Sequence, residues 1–232
     1  MKFINKNKAN FVTVLFCMIC MGCSKMNDPI AGYIKNGEII YSTSVDSLKA
    51  FSGNQRIKLT WLLPTNHSAV KAVAYWDNKT KSRELPLIKS ADNTYQFILE
   101  NMPEASYLLS VFTFDKNGNT SVKSEVSTVA YGERYRSGLL NRVYIKISKD
   151  QNGALLINWG PSDKSQITME VEYTDISNNR VVQSTPSAQN STSLAGVNFS
   201  KPIRYRTIYN PGLSAIDVFA ADWSNPIDIS RL

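Results

Sequence analysis

The sequence holds very little cysteine or histidine, and this scarcity removes whole classes of chemistry. Cys17, Cys20 and Cys23 are the only cysteines in 232 residues, and His67 is the one histidine. Zinc sites built from histidine clusters are excluded by count. A Ser/His/Asp triad would have to use His67, which lies in the turn PTNHS without an evident partner and reads as an exposed loop residue. The CxxCxxC spacing of the cysteines suggests iron–sulfur ligation, but a cluster needs a fourth ligand and a folded shell, and no cysteine follows Cys23. Clustered basic residues are also lacking. Lysine and arginine are scattered, without the continuous positive face that tracking phosphates requires, so no nucleic-acid partner is expected. Beyond an N-terminal apolar stretch there is no run of membrane-spanning length, and no amphipathic helical stripe of useful length.

That N-terminal stretch is the first positive signal. Lys2, Lys6 and Lys8 form a basic flank, Phe11 to Met21 is an apolar run too short to span a bilayer, and Gly22 precedes Cys23 as the small residue a peptidase needs. The pattern predicts a lipoprotein signal over residues 1–22, lipidation of Cys23 and a polar tether over 23–36. A cleaved secretory signal without lipid is the competing reading, and Cys20 stands where bacterial lipoboxes usually carry Leu. With Cys23 acylated no thiol nucleophile remains. Removing residues 1–22 takes away three lysines and no acid, so the formal charge falls from +7 to +4 over 210 residues. At 43% hydrophobic residues such a chain can bury one large or two small cores.

From residue 37 onward the spelling is that of strands. RIKLTWLL places Ile57, Leu59 and Trp61 on one face at period two, and AVKAVAYW repeats the alternation with Val73 and Tyr75. Turn residues fall between the runs, and Tyr107 to Phe114 ends in the hairpin signal DKNGN. The pattern then recurs. Trp61 and Trp159, Val73 and Val171, Tyr75 and Tyr173, Asp77 and Asp175, and Tyr107 and Tyr205 are each 98 residues apart. That period is the size of an immunoglobulin-type sandwich, in which a Trp packs between the sheets and a Tyr hydrogen-bonds back across a corner. The reading is all-β, with two tandem β-sandwiches over 37–133 and 145–232 joined by a junction at 134–144. Trp61, Tyr75, Tyr107, Trp159, Tyr173 and Tyr205 are the expected core aromatics.

Together the LxW strand, the AxxYW strand, FDKNGNTSV, YRSGLLNR, INWG, MEVEYTD and RYRTIYNPGLSAIDVF resemble a family of Bacteroidota lipoproteins of unknown function. The resemblance runs from about Gly37 to the C-terminus. It implies fibronectin-III-like modules on a cell-surface anchor near SusC- and SusD-type uptake systems, and it brings no catalytic residue. Asp46-Ser47-Leu48 also looks like the three-residue O-glycosylation sequence used by Bacteroidota.

The remaining candidates for chemistry each have a structural explanation. Glu170 and Glu172, two apart on one strand, could approach the separation used in glycoside hydrolysis, but alternation leaves them on the solvated face while Met169, Val171 and Tyr173 point inward. DKNGNT resembles a calcium loop, yet Gly118 falls fourth and Val126 twelfth, so a tight turn accounts for it and no metal is expected. Trp76, Tyr209 and Trp223 are candidate ligand platforms, because alternation points Trp76 away from the core and flat rings suit sugar faces. The expected function is a non-enzymatic, lipid-anchored accessory of an outer-membrane glycan or nutrient uptake system. It needs no cofactor, and its partners are the membrane, SusC/SusD-like components or polysaccharide. The alternative is a structural spacer or adhesion module. Ser24 after the anchor favours the outer membrane and leaves surface or periplasmic display open.

Overall fold

The computed structural model describes residues 40–92, 94–212 and 214–232; the signal segment 1–22, Cys23 and the tether 23–36 lie outside them. Ser42–Leu232 form one compact unit. Its first sandwich contains β1 (Asp46–Ser52), β2 (Arg56–Leu62), β3 (Ala69–Trp76), β4 (Lys81–Leu85), β5 (Tyr95–Glu100), β6 (Ala105–Asp115) and β7 (Ser124–Ala130). A short helix, α1 (Glu133–Ser137), leads to β8 (Tyr144–Lys149), β9 (Leu155–Trp159), β10 (Gln166–Thr174), β11 (Arg180–Pro186), β12 (Ser191–Leu194), β13 (Arg204–Tyr209) and β14 (Phe219–Ala220). The sheets are ordered β1-β2-β5 against β4-β3-β6-β7, then β12-β9-β8 against β11-β10-β13-β14. Every pairing within them is antiparallel. Three strands facing four, twice in the same order, is a pair of fibronectin-III-like sandwiches.

Each sandwich closes on a tryptophan. Ile57, Leu59 and Trp61 are fully buried from β2, as are Leu155, Ile157 and Trp159 from β9. Burying one such side chain stabilises the fold by about 2–3 kcal/mol. The two indoles are treated differently. Trp159 donates its Nε1–H to Thr192 (2.8 Å), which continues to Thr185 (2.7 Å). Trp61 stacks on Tyr95 at 5.9 Å, and its buried Nε1 has no partner. The corner tyrosines also diverge. Tyr107 donates to the Pro103 carbonyl at 2.8 Å, a tyrosine corner, whereas the expected equivalent, Tyr205, packs against Trp159 (5.1 Å) and Tyr144 (6.0 Å) instead.

β3 departs from the expected phase. Pairing with β6 runs Ala69 to Asp115 and then Lys71 to Phe114, so Val70 is an extra residue on β3. An inserted residue reverses which side chains face the core. Ala72, Ala74 and Trp76 therefore pack inward, while Tyr75, expected in the core, turns to the outer face against Phe112 at 5.8 Å. β10 carries a like insertion at Ile167, between Gln166 and Thr168, and beyond it Met169, Val171 and Tyr173 remain in the core.

The sandwiches are bonded to each other. The end of β1 meets the 216–217 loop so closely at Gly53 that a Cβ there would lie 2.6 Å from Asp217 Oδ2. Asp217 accepts from Arg56 Nε (2.8 Å), from Arg56 Nη2 and from the Asn54 N–H (2.8 Å), and the Ile216 N–H donates to the Ser52 carbonyl (2.8 Å). Tyr131, Tyr135 and Phe219 form an aromatic cluster with centroids 4.7–6.0 Å apart. Helix α1 lacks a side-chain cap of its own, and the Glu104 carboxylate supplies it by accepting from the Arg134 and Tyr135 N–H groups. Next to it Arg142 is buried without a carboxylate, its guanidinium donating to the carbonyls of Gly160, Ser187 and Gln189. Burial lowers its pKa.

The hydrogen bonds from Arg56, then the Asn54 N–H and the Arg56 charge, hold the Asp217 carboxyl below its ordinary range against the opposing effect of burial. Its stabilisation is complete above about pH 4 and is lost as the pH falls through the depressed folded-state value. Asp217→Ala is expected to cost about 2–3 kcal/mol in urea unfolding at pH 7, and the difference from the parent should shrink in acid. An unchanged midpoint would show that this contact contributes nothing.

Candidate functional site

Two of the three expected ring platforms are bonded into the fold, and the third, Trp76, packs on the core while still lining an outer groove. Trp76 turns inward with the reversed phase of β3 and packs on the first core. Tyr209, at the end of β13, is 7% exposed; its hydroxyl donates to the Leu140 carbonyl and accepts from Gln166 Nε2 at 3.1 Å. A β13 side chain on the core side of a sandwich cannot offer a face to solvent. Trp223 lies against β13 with Arg204 and Arg206 over its ring at 4.9 and 4.5 Å.

The Trp223 contact belongs to a longer ladder. Arg204 donates to Glu172 from Nε (2.7 Å) and Nη2 (3.1 Å), Arg180 adds a third contact to Glu172 at 2.5 Å, and Arg206 donates to Glu170 at 2.6 Å. The two glutamates therefore face outward, each neutralised by arginine. Burial pushes the Glu172 carboxyl up, but hydrogen bonds and charge from Arg204 and Arg180 outweigh it and leave the pKa lowered. A general acid needs the opposite shift. The ladder straps the C-terminal segment to β13, where the Ser224 N–H donates to the Tyr205 carbonyl (2.8 Å).

His67 is also placed differently from expectation. It is half-buried instead of exposed, because its loop folds over β5 and brings Nε2 within 3.3 Å of the Tyr95 hydroxyl; Nδ1 is buried without a partner. No serine or carboxylate completes a triad around it among the described hydrogen bonds. In DKNGNT the Asp115 carboxylate accepts from the N–H groups of Asn117 and Asn119 (both 2.9 Å), and Gly118 takes a positive φ of 82°, so the loop is a closed turn. Among the described residues no group of three or more His, Cys, Asp or Glu is placed to hold a metal.

What the fold does assemble is a groove of about 530 Å³ on the outer face of β3, β6 and β7, within the range of ligand sites. Tyr75 lies in it, edge-to-face with Phe112, and Leu108 is 56% exposed beside them. One wall is the β3–β4 turn, where Asp77, Asn78 and Lys79 all adopt positive φ (50°, 53° and 66°), a run that stores strain in non-glycine residues. There Lys81 pairs with Asp77 at 2.8 Å, and Lys79 Nζ sits 4.6 Å over the Phe112 ring. The opposite wall is Glu125, which accepts from Ser110 (2.8 Å) and pairs with Lys123 (3.0 Å). The Lys123 and Ser110 hydrogen bonds keep the Glu125 pKa lowered. Sequence reasoning named Trp76, which lines the groove, and missed Tyr75, Lys79 and Leu108 there. The available signal was the alanine at 69, 72 and 74, which fits a small-residue face packed against large neighbours.

The family match covers residues 23–219. The chain belongs to the DUF4998 family, a domain of unknown function. No curated protein is similar to it. Among solved structures, the FN1–FN3 domains of chicken CNTN1 are 14% identical, with 83% of this chain and 68% of that one covered and a TM-score of 0.44. A two-domain fibronectin type III segment of chicken tenascin is 13% identical, with 79% and 98% covered and a TM-score of 0.32.

In this DUF4998 chain the ladder and the Tyr209 bonds are structural, so their loss should appear in stability. Trp223→Ala is expected to lower stability by about 1–2 kcal/mol through the two cation–π contacts and lost packing. Tyr209→Phe should cost about 1 kcal/mol for its hydrogen bonds. Thermal melts followed by circular dichroism check both, and unchanged melting of Trp223→Ala would refute the strap.

Proposed function

We propose that the protein is a non-enzymatic, lipid-anchored accessory of an outer-membrane glycan or nutrient uptake system, presenting a ligand groove on its first sandwich. The groove over Tyr75 and Trp76 carries the proposal, since an aromatic floor with hydrogen-bonding walls matches a sugar ring, apolar on its faces and polar at its edge. The basic, apolar and Gly22-Cys23 segments supply the anchor, with the outer membrane as destination and SusC/SusD-like components or polysaccharide as partners. Both carboxylates with hydrolase-like spacing are engaged in ion pairs with arginines, which supports binding over catalysis. A spacer role is the second reading, favoured by the Arg56–Asp217 junction, which ties the sandwiches together.

Two measurements on the full chain test this. Radiolabelled palmitate should be incorporated by the parent and not by Cys23→Ala, which should leave the membrane fraction. Affinity electrophoresis of detergent-solubilised protein through embedded polysaccharides should show retardation by at least one glycan, reduced about tenfold in affinity for Tyr75→Ala. Retardation by none would leave the spacer reading.

A further inference from the structure

Pairing leaves one lysine of the groove without a direct anion partner. Lys81, beside the groove, takes Asp77, and Lys123 takes Glu125, each within 3.0 Å. Lys79 has no carboxylate partner among the described residues; its ammonium rests on the Phe112 ring, held there by a backbone at φ 66°. A cation parked on a ring face is only weakly satisfied, since an exposed cation–π contact is worth less than a direct pairing with an anion in a partly dry site. The groove therefore offers an aromatic floor and, at its edge, a positive charge free to exchange the ring for an anion.

We propose that the groove recognises an acidic oligosaccharide, one whose sugar ring carries a carboxylate, with the ring lying on Tyr75 and Phe112 and the carboxylate received by Lys79. This rests on reading the groove as a glycan site. A neutral sugar would use the floor and leave Lys79 idle. An acidic peptide would use Lys79 and have little for the floor. Swinging Lys79 off Phe112 also uncovers the ring face that the sugar then covers beside Tyr75, so the charge and the stacking surface become available together.

The test compares three probes on the detergent-solubilised full chain by isothermal titration: a short oligogalacturonate, the same oligosaccharide fully methyl-esterified, and oligoglutamate of matched charge. Binding of the first, with threefold to tenfold weaker binding of the second and of Lys79→Gln, and recovery in Lys79→Arg, is the expected result. The same affinity should fall as salt rises. Equal binding of the galacturonate and its ester, or unchanged affinity in Lys79→Gln with altered melting, would overturn the role of Lys79, leaving it a shield for Phe112. Equal binding of oligoglutamate would overturn the sugar assignment. Binding of neutral glycans alone would sink this inference while sparing the glycan-accessory reading, whereas silence with neutral and acidic glycans together would end both.

Discussion

The register between β3 and β6 decides which side chains the first sandwich turns outward. Val70 occupies β3 without a partner on β6, and from that point the strand presents its alanines and Trp76 to the core and its Tyr75 to the outside. The core accepts the exchange because Trp61, Leu109 and Val111, all buried, already supply bulk opposite small Ala72 and Ala74. The outer face then holds Tyr75 and Leu108 in the groove, with Phe112 edge-to-face against Tyr75 beside it. The second sandwich, whose β10 also carries an extra residue at Ile167 and turns Met169, Val171 and Tyr173 inward, has Glu170 and Glu172 at the outer positions of that strand and covers them with arginine.

The two modules are therefore related in plan and different in use. The first carries an open face with a strained turn beside it. The second closes its equivalent face with an Arg–Trp–Arg stack and ion pairs, and commits its C-terminal segment to holding that closure. Between them, Gly53 permits a contact that any side chain would obstruct, and Asp217 joins the two through Arg56 and the Asn54 backbone. The buried Arg142, satisfied by carbonyls instead of a counter-ion, gathers the ends of loops that would otherwise leave acceptors unpaired. These contacts hold the sheet that carries the groove within a bonded pair of sandwiches.

Much of the architecture was readable from the chain. The period-two run through Ile57, Leu59 and Trp61 marks β2, Asn117-Gly118 marks the turn after β6, and the 98-residue recurrence of Trp and Tyr marks two similar domains. The site was far less legible. Alternation counted from AVKAVAYW assigns Tyr75 to the core and Trp76 to solvent, because nothing in eight residues announces that a distant strand will skip one of them. Tyr209 and Trp223 looked like loose aromatics for a related reason: the Leu140 carbonyl and the arginines that cover them come from elsewhere in the chain or from the opposite side of a pairing. His67 reads as exposed until β5 brings Tyr95 beneath its loop.

Fold class, strand identity and the recurrence are local properties, set by backbone preferences and by the apolar rhythm within each few residues, and so the residues alone establish them. Which face of β3 meets water, which rings keep an open surface and which lysine lacks an anion are settled by register between strands that lie some forty residues apart. Pairing energies over whole strands choose that register, and a single extra residue reverses its consequences; only the assembled sandwich contains that information.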